Sequence, residues 1–333
     1  MIRFLCTLRK ISTPLKKQAL NRFLFQKKIE FSNKVYFSGT KITNGCACEP
    51  SKEKSNKKHR LRPRILDEFF DLNCKTAVVI GGADGIGYAA AHEILSNKAK
   101  VVGIFGKNIC KGMEACHALN CRFGKRRAVF FKVDVTSKTD IDCAICKLSD
   151  EFGVIEAFVN SFGICDGKNW EYELNTNLIG MARSTIAAHN YLSCTKKGGV
   201  IVNTAGIFGM VASAGCPTTC AAQHGVIGLS KSFGKETLFK HTKVRVITLC
   251  PGMTETKLFK DANKRALTTF MGKCLQEEIE SMKKQRPEVC GSAIVWLIRH
   301  GVSGSLWMIK DCNLYKINCE VLNFTELYNQ FPA

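Results

Sequence analysis

The stretch KTAVVIGGADGIGYAAAHEILSNK, Lys75 to Lys98, decides the fold. Lys75–Gly82 is a short run of β-branched and small apolar residues that ends in two glycines, the pattern of a buried strand. From Gly85 the spacing of apolar positions changes to that of a helix. Between the two lies Gly81-Gly82-Ala83-Asp84-Gly85-Ile86-Gly87. Glycines at 81, 85 and 87 allow a tight turn, close backbone approach to a ligand, and packing of the helix on the sheet. The unpaired N–H groups at a helix start suit phosphate oxygens. A glycine pattern alone is a weak signal; its place directly after a strand and before a helix is what the motif requires.

Further apolar runs follow: AKVVGIFG (99–106), RAVFFKVDV (127–135), EAFVN (156–160), GGVIVNTAG (198–206), KVRVITLCPG (243–252) and GSLWMIKD (304–311). Helix-like segments separate them, among them residues 137–152, 169–192 and 220–242. Continuous apolar strands alternating with amphipathic helices predict a parallel sheet covered on both faces. With right-handed crossovers this is an α/β fold, a doubly wound parallel sheet of Rossmann type. The expected organisation is one domain over 65–318, a polar linker over 40–64 and a C-terminal tail over 319–333.

The net charge of +21 is concentrated in the N-terminal extension. Residues 1–64 hold 17 Lys/Arg against 3 Asp/Glu, and the other 269 residues hold 32 against 25. The first 28 residues contain eight basic residues and no acid, with Leu and Phe interleaved, which predicts a mitochondrial transit peptide over 1–39 and a matrix location. Without import, the chain would be cytoplasmic. A basic arm touching nucleic acid or anionic lipid is the other reading of the same composition. No run of about 18 apolar residues suggests a membrane span. The 18 cysteines include only two close pairs, Cys46/Cys48 and Cys143/Cys146, neither with a second pair or a His cluster at zinc spacing. Free thiols and no metal are expected.

Ligands of such sheets lie over the carboxyl ends of the strands. Those ends are Phe105-Gly106, Asp134-Val135, Asn160-Ser161-Phe162-Gly163, Thr204-Ala205-Gly206 and Pro251-Gly252. An acid that would hold ribose hydroxyls is missing after the second strand, where Phe105, Gly106 and Lys107 stand. Lys107 is either a contact for a 2′-phosphate or a solvated surface lysine.

The order and spacing of VIGGADGIG, FKVDVTS, VNSFGICDGKNWEYELNTNLIG, AAQHGVIGLSKS, ITLCPGMTETKL and GSLWMIKD resemble the short-chain dehydrogenase/reductase family from about Lys75 to Lys310. Within it, the chain is most similar to the branch of 15-hydroxyprostaglandin dehydrogenase and insect alcohol dehydrogenase. The resemblance implies an alcohol–carbonyl oxidoreductase scaffold using NAD(H) or NADP(H), usually a homodimer or homotetramer. It assigns the cofactor to Gly81, Gly85, Ile86, Gly87, Asp134, Val135, Asn160, Gly163, Pro251, Gly252 and Thr256. The family's chemistry uses Ser, Tyr and Lys, with a helix Asn behind them. The Asn matches Asn177; the Ser, Tyr and Lys positions hold Gly206, Thr219 and Gln223.

Alcohol oxidation needs a base for the hydroxyl proton as hydride leaves. A tyrosine starts near 10 and can be lowered by an adjacent cation. A threonine hydroxyl is far above neutrality, Gln223 is neutral, and Gly206 has no side chain. Losing the base removes about 10²- to 10⁴-fold in rate. Ser213, Cys216, Cys220 and His224 lie close in sequence; His224 has a suitable intrinsic pKa but points about 100° around the helix from Gln223. Phe162 replaces a small residue and either fills part of the cofactor region or turns into the core. The segment Asp261–Lys284, expected to face the substrate, shows no decisive polar set.

The expected function is therefore a short-chain dehydrogenase-like protein with impaired chemistry that acts by binding. The alternative is an active NAD(P)-dependent oxidoreductase on secondary alcohols or ketones with a rewired site. A third reading, an RNA-associated mitochondrial subunit, rests on the basic arm alone, and cleavage of a presequence would remove most of that charge.

Overall fold

A computed structural model describes residues 70–318, and residues 31–35 as a strand, β1 (Phe31–Val35). Apart from that strand, the expected transit peptide, the linker 40–64 and the tail 319–333 lie outside the described residues. The domain strands are β2 (Thr76–Ile80), β3 (Val101–Gly106), β4 (Ala128–Lys132), β5 (Ile155–Asn160), β6 (Gly199–Thr204), β7 (Val244–Pro251), β8 (Leu306–Lys310) and β9 (Asn313–Ile317). They follow one another in the order β9-β8-β7-β6-β5-β2-β3-β4. The pairings from β4 through β8 are parallel, in register from Val102↔Ala128 to Pro251↔Ile309.

Strand periodicity explains why both faces need cover. On β2, Ala77 and Val79 join one core cluster while Val78 and Ile80 join the other. On β5, Ala157 and Val159 part from Phe158 in the same way. These residues are 0–1% exposed. Each such Val or Ile contributes about 1.5–3 kcal/mol on burial. One face is covered by α1 (Gly85–Ser96) and, late in the domain, Pro287–His300; the other by α3 (Asp140–Phe152) and α5 (Met181–Cys194). Between α1 and α3, α2 (Ile109–Phe123) places Cys116 and Leu119 in the first cluster. The strand order reverses between β2 and β5, and the cleft opens at their carboxyl ends.

The sequence predicts one helix over 169–192. The chain instead runs through α4 (Trp170–Leu174), a π-helical turn (Asn175–Gly180) and α5. The predicted helix 220–242 begins earlier, at Pro217, and breaks into α6 (Pro217–Phe233) and α7 (Glu236–Thr242). Pro217 suits the first helical turn, which needs no N–H there. At the break, Gly234 lies against the backbone of Gly304, where a Cβ would come within 2.3 Å of the Gly304 nitrogen. Two helices, α8 (Thr269–Glu280) and α9 (Pro287–His300), and strand β9 complete the domain. The turn into β9 places Asp311 and Cys312 at φ +50° and +59°, a tight hairpin without glycine.

Candidate active site

Asp84 caps α1, its carboxylate accepting the Gly85 N–H at 2.8 Å. Gly81 turns at φ +83°, and a Cβ on Gly87 would sit 2.2 Å from the Gly81 carbonyl oxygen. The glycines thus bring helix and loop into backbone contact. Asp84 is also held by Lys257 at 3.0 Å and Lys111 at 3.7 Å. Burial works to raise its pKa, but Lys257, the Gly85 N–H and Lys111 outweigh that and lower it. An acid therefore already occupies part of the anion-attracting helix end.

A cleft of about 590 Å³ runs from this loop across the strand ends. Of the residues assigned to the cofactor, Gly81, Gly85, Ile86, Gly163, Pro251, Gly252 and Thr256 line it. Thr256 closes over the loop, its methyl 3.1 Å from where a Gly85 Cβ would lie. Gly87, Asp134, Val135 and Asn160 do not line it. Val135 packs behind the π-helical turn at Gly180. Asn160 is fully buried, donating to Asn203 Oδ1 at 2.8 Å in a chain that continues to Ser230. Asp134 binds Lys107 at 2.8 Å and accepts the Thr136 hydroxyl at 2.7 Å. Burial pushes its pKa up, but Lys107 and Thr136 together hold it down at about 2. Lys107 also reaches the Tyr172 hydroxyl at 3.3 Å and lies 5.6 Å from its ring centre. Phe162 packs on the second core cluster and also lines the cleft.

Asn177 sits in the π-helical turn, a distortion common at functional sites. It accepts the Ile164 N–H at 2.9 Å and donates to the Ile164 carbonyl at 2.6 Å, bracing the loop after β5. Gly206 and Gln223 face each other across the cleft wall. A Cβ on Gly206 would lie 2.5 Å from Gln223 Oε1, so glycine is what leaves room for this glutamine. That oxygen is buried without a hydrogen-bond partner.

Thr219 does not line the cleft. It is 1% exposed, and its hydroxyl donates to Glu173 Oε1 at 2.6 Å. Glu173 is itself fully buried, and its other oxygen accepts the Asp166 N–H at 2.8 Å. The Cys165 sulfur lies 3.6 Å from the same hydroxyl. Sequence reasoning missed Glu173; its one signal was its place a helical turn before Asn177.

The alternative bases are placed elsewhere. His224 is exposed, with Nδ1 2.8 Å from the Cys220 carbonyl. Burial pushes the Cys220 thiol up. The hydrogen bond to Cys165, with burial, raises Cys216. Ser213 is bound to Glu278 and accepts the Cys216 N–H, fastening α8 to the loop before α6. Beyond these, Phe208 and Phe259 meet edge to face at 5.6 Å, with Ile164, Ile207 and Leu258 beside them. Arg265, from the segment in which no decisive polar residue was expected, also lines this end. The described cysteines are free thiols, and among the described residues no cluster of three metal-ligating side chains occurs. Among them, too, no helix is long and apolar enough to cross a membrane.

The family model described as short chain dehydrogenase matches residues 75–267. Alcohol dehydrogenase 1 of Ceratitis cosyra is 32% identical over 249 residues, covering 74% of this chain and 96% of the relative. The 15-hydroxyprostaglandin dehydrogenase [NAD(+)] of Mus musculus is 30% identical over 217 residues, 64% of this chain and 79% of that one. The crystal structure of levodione reductase shares the fold at a TM-score of 0.63 and 18% identity, covering 72% of this chain and 97% of that one. The glycine loop, the strand order and these matches together place the chain in the short-chain dehydrogenase family.

Proposed function

We propose that this chain is a binding member of the family, one that retains the nucleotide-shaped cleft and has lost the proton-transfer half of alcohol oxidation. The observation that carries the reading is Thr219: its hydroxyl is buried and donates to Glu173 instead of facing the cleft. Gln223 supplies no charge and Gly206 no side chain. What remains for chemistry is proximity alone.

The glycine turn fits a dinucleotide, because Gly81 and Gly87 pack too closely on the Ser161 and Gly81 carbonyls for any side chain, and this brings the start of the helix to the mouth of the cleft. Gly81, Gly85, Ile86, Gly163, Pro251, Gly252 and Thr256 would hold it; a nicotinamide ring would supply a hydride acceptor or donor. Asp84 and the Lys107–Asp134 pair stand against tight binding, and Lys107 faces Asp134 instead of an open phosphate site. The relative named with NAD(+) makes that nucleotide the first to test.

Purified full-length protein should show no NAD(H)- or NADP(H)-linked turnover of secondary alcohols or ketones. Bound nucleotide raises stability by RT ln(1 + [L]/Kd), so melting with each of NAD, NADH, NADP and NADPH reads binding separately from turnover. Gly206→Ser, Thr219→Tyr and Gln223→Lys combined should restore some activity where nucleotide binds.

One observation favours the second reading, an active oxidoreductase with a rewired base: Glu173 stands directly behind position 219. A proton would have to pass through Thr219, so turnover abolished by Thr219→Val and kept by Thr219→Ser, both still folded at the assay temperature, would establish it. We also propose residues 1–39 as a mitochondrial presequence, supported by their composition and tested by import of a reporter carrying them. Homo-oligomer formation is proposed from the family and is read by sedimentation.

A further inference from the structure

Arg265 brings a cation that makes no ion pair among the described residues to a cleft with apolar walls. Its Nε donates to the Cys165 carbonyl at 3.2 Å, which fixes the plane of the guanidinium. Among the described residues no hydrogen bond or ion pair engages its two terminal amino groups. The nearby acids are spoken for. The Asp166 carboxyl accepts the Asn169 N–H at 3.4 Å and Asn169 Nδ2 at 2.9 Å. Both Glu173 oxygens are taken by Thr219 and the Asp166 N–H. Asp261, four residues away, pairs with Lys264 at 2.9 Å.

Cys165, whose carbonyl Arg265 holds, packs in a cluster with Phe208, Ile207, Leu258 and Phe259, and these line the same cleft as Arg265. A planar guanidinium with two free amino groups matches both oxygens of a carboxylate. The aliphatic and aromatic wall matches an apolar body. Asp166 shares this end of the cleft, so a phosphate dianion would meet one cation and one acid, a poorer balance than a single negative charge finds.

We infer that the part of the cleft beside Arg265 binds a monocarboxylate with an apolar tail, its carboxylate held by the terminal amino groups of Arg265 and its tail lying on Phe208 and Phe259. The inference rests on the reading of the cleft as a ligand site and names the class of ligand it takes. It requires no chemical step.

The test is calorimetric titration of full-length protein with octanoate and with octanamide, its uncharged equal in size. Charge-assisted hydrogen bonds predict octanoate tighter by about tenfold or more. Arg265→Gln should remove the difference, and Arg265→Lys should keep part of it, with unliganded melting showing that each variant is folded. Equal affinity for acid and amide overturns the inference, as does octanoate binding unchanged in Arg265→Gln. So does the absence of saturable octanoate binding with and without NAD. Acid-over-amide preference accompanied by alcohol turnover keeps this inference and defeats the impaired-chemistry reading. Nucleotide binding without turnover or acid preference does the reverse.

Discussion

Replacing Thr219 with valine keeps the volume and shape of the side chain and removes one hydroxyl. In the folded protein that hydroxyl satisfies Glu173 Oε1 at 2.6 Å, and neither residue reaches solvent. Water cannot take its place, so the carboxyl oxygen is left buried without a donor. Such an orphaned group costs about 1–3 kcal/mol. For a domain of this size each kcal/mol lowers the melting temperature by about 2–4 °C, so Thr219→Val should melt roughly 2–12 °C below the parent. Thr219→Ser keeps the donor and loses one methyl, about 1 kcal/mol in a site this tight. Urea unfolding of the full chain, with parent, Thr219→Val, Thr219→Ser and the Thr219→Val/Glu173→Gln pair, gives the coupling directly. Thr219→Val within about 0.3 kcal/mol of the parent, the error of additivity, would refute the bond. Serine as damaging as valine would show that the methyl and not the hydroxyl matters. Either result would remove the reason for holding that position 219 is occupied with structure and not with catalysis.

Gly206→Ser alone should destabilise the protein, since its Cβ would meet Gln223 at 2.5 Å; adding Gln223→Ala should recover the loss, read by the same urea series. Asp84→Asn frees Lys257 and Lys111 and weakens the acid at the helix start, so nucleotide affinity should rise by roughly 3- to 10-fold and become more salt-dependent. Asp134 titrates near 2 when folded against an ordinary value of 3.8, so its contribution is complete above the ordinary value and is lost as pH falls toward 2. Lys107→Met should flatten that acid limb in a pH series of unfolding. Burial pushes Cys116 and Cys290 to about 12, so iodoacetamide at about pH 8 should label exposed Cys110, Cys121 and Cys143 and spare those two, as mass spectrometry of peptides will show.

The sequence by itself determined the sheet. Apolar runs at Lys75–Gly82, 99–106 and 198–206, each followed by a helix, leave few ways to bury both strand faces, and the glycines at 81, 85 and 87 have one geometry that uses them. Its resemblance to the short-chain dehydrogenase family also marked positions 206, 219 and 223, one at a strand end and two on one helix. The carboxyl end of the domain was less legible. No glycine marks the turn at Asp311-Cys312, and Gly234, at the break, lies against Gly304, seventy residues later, with no room for a side chain. What only the tertiary structure decided are the pairings between distant segments. Glu173 finds Thr219 across 46 residues, Lys107 finds Asp134, and Arg265 reaches the Cys165 carbonyl from 100 residues away. Local propensity says nothing of such contacts. They follow from which helix ends and loops the closed sheet brings to one mouth, and they decide whether a side chain faces the ligand or is consumed within the protein.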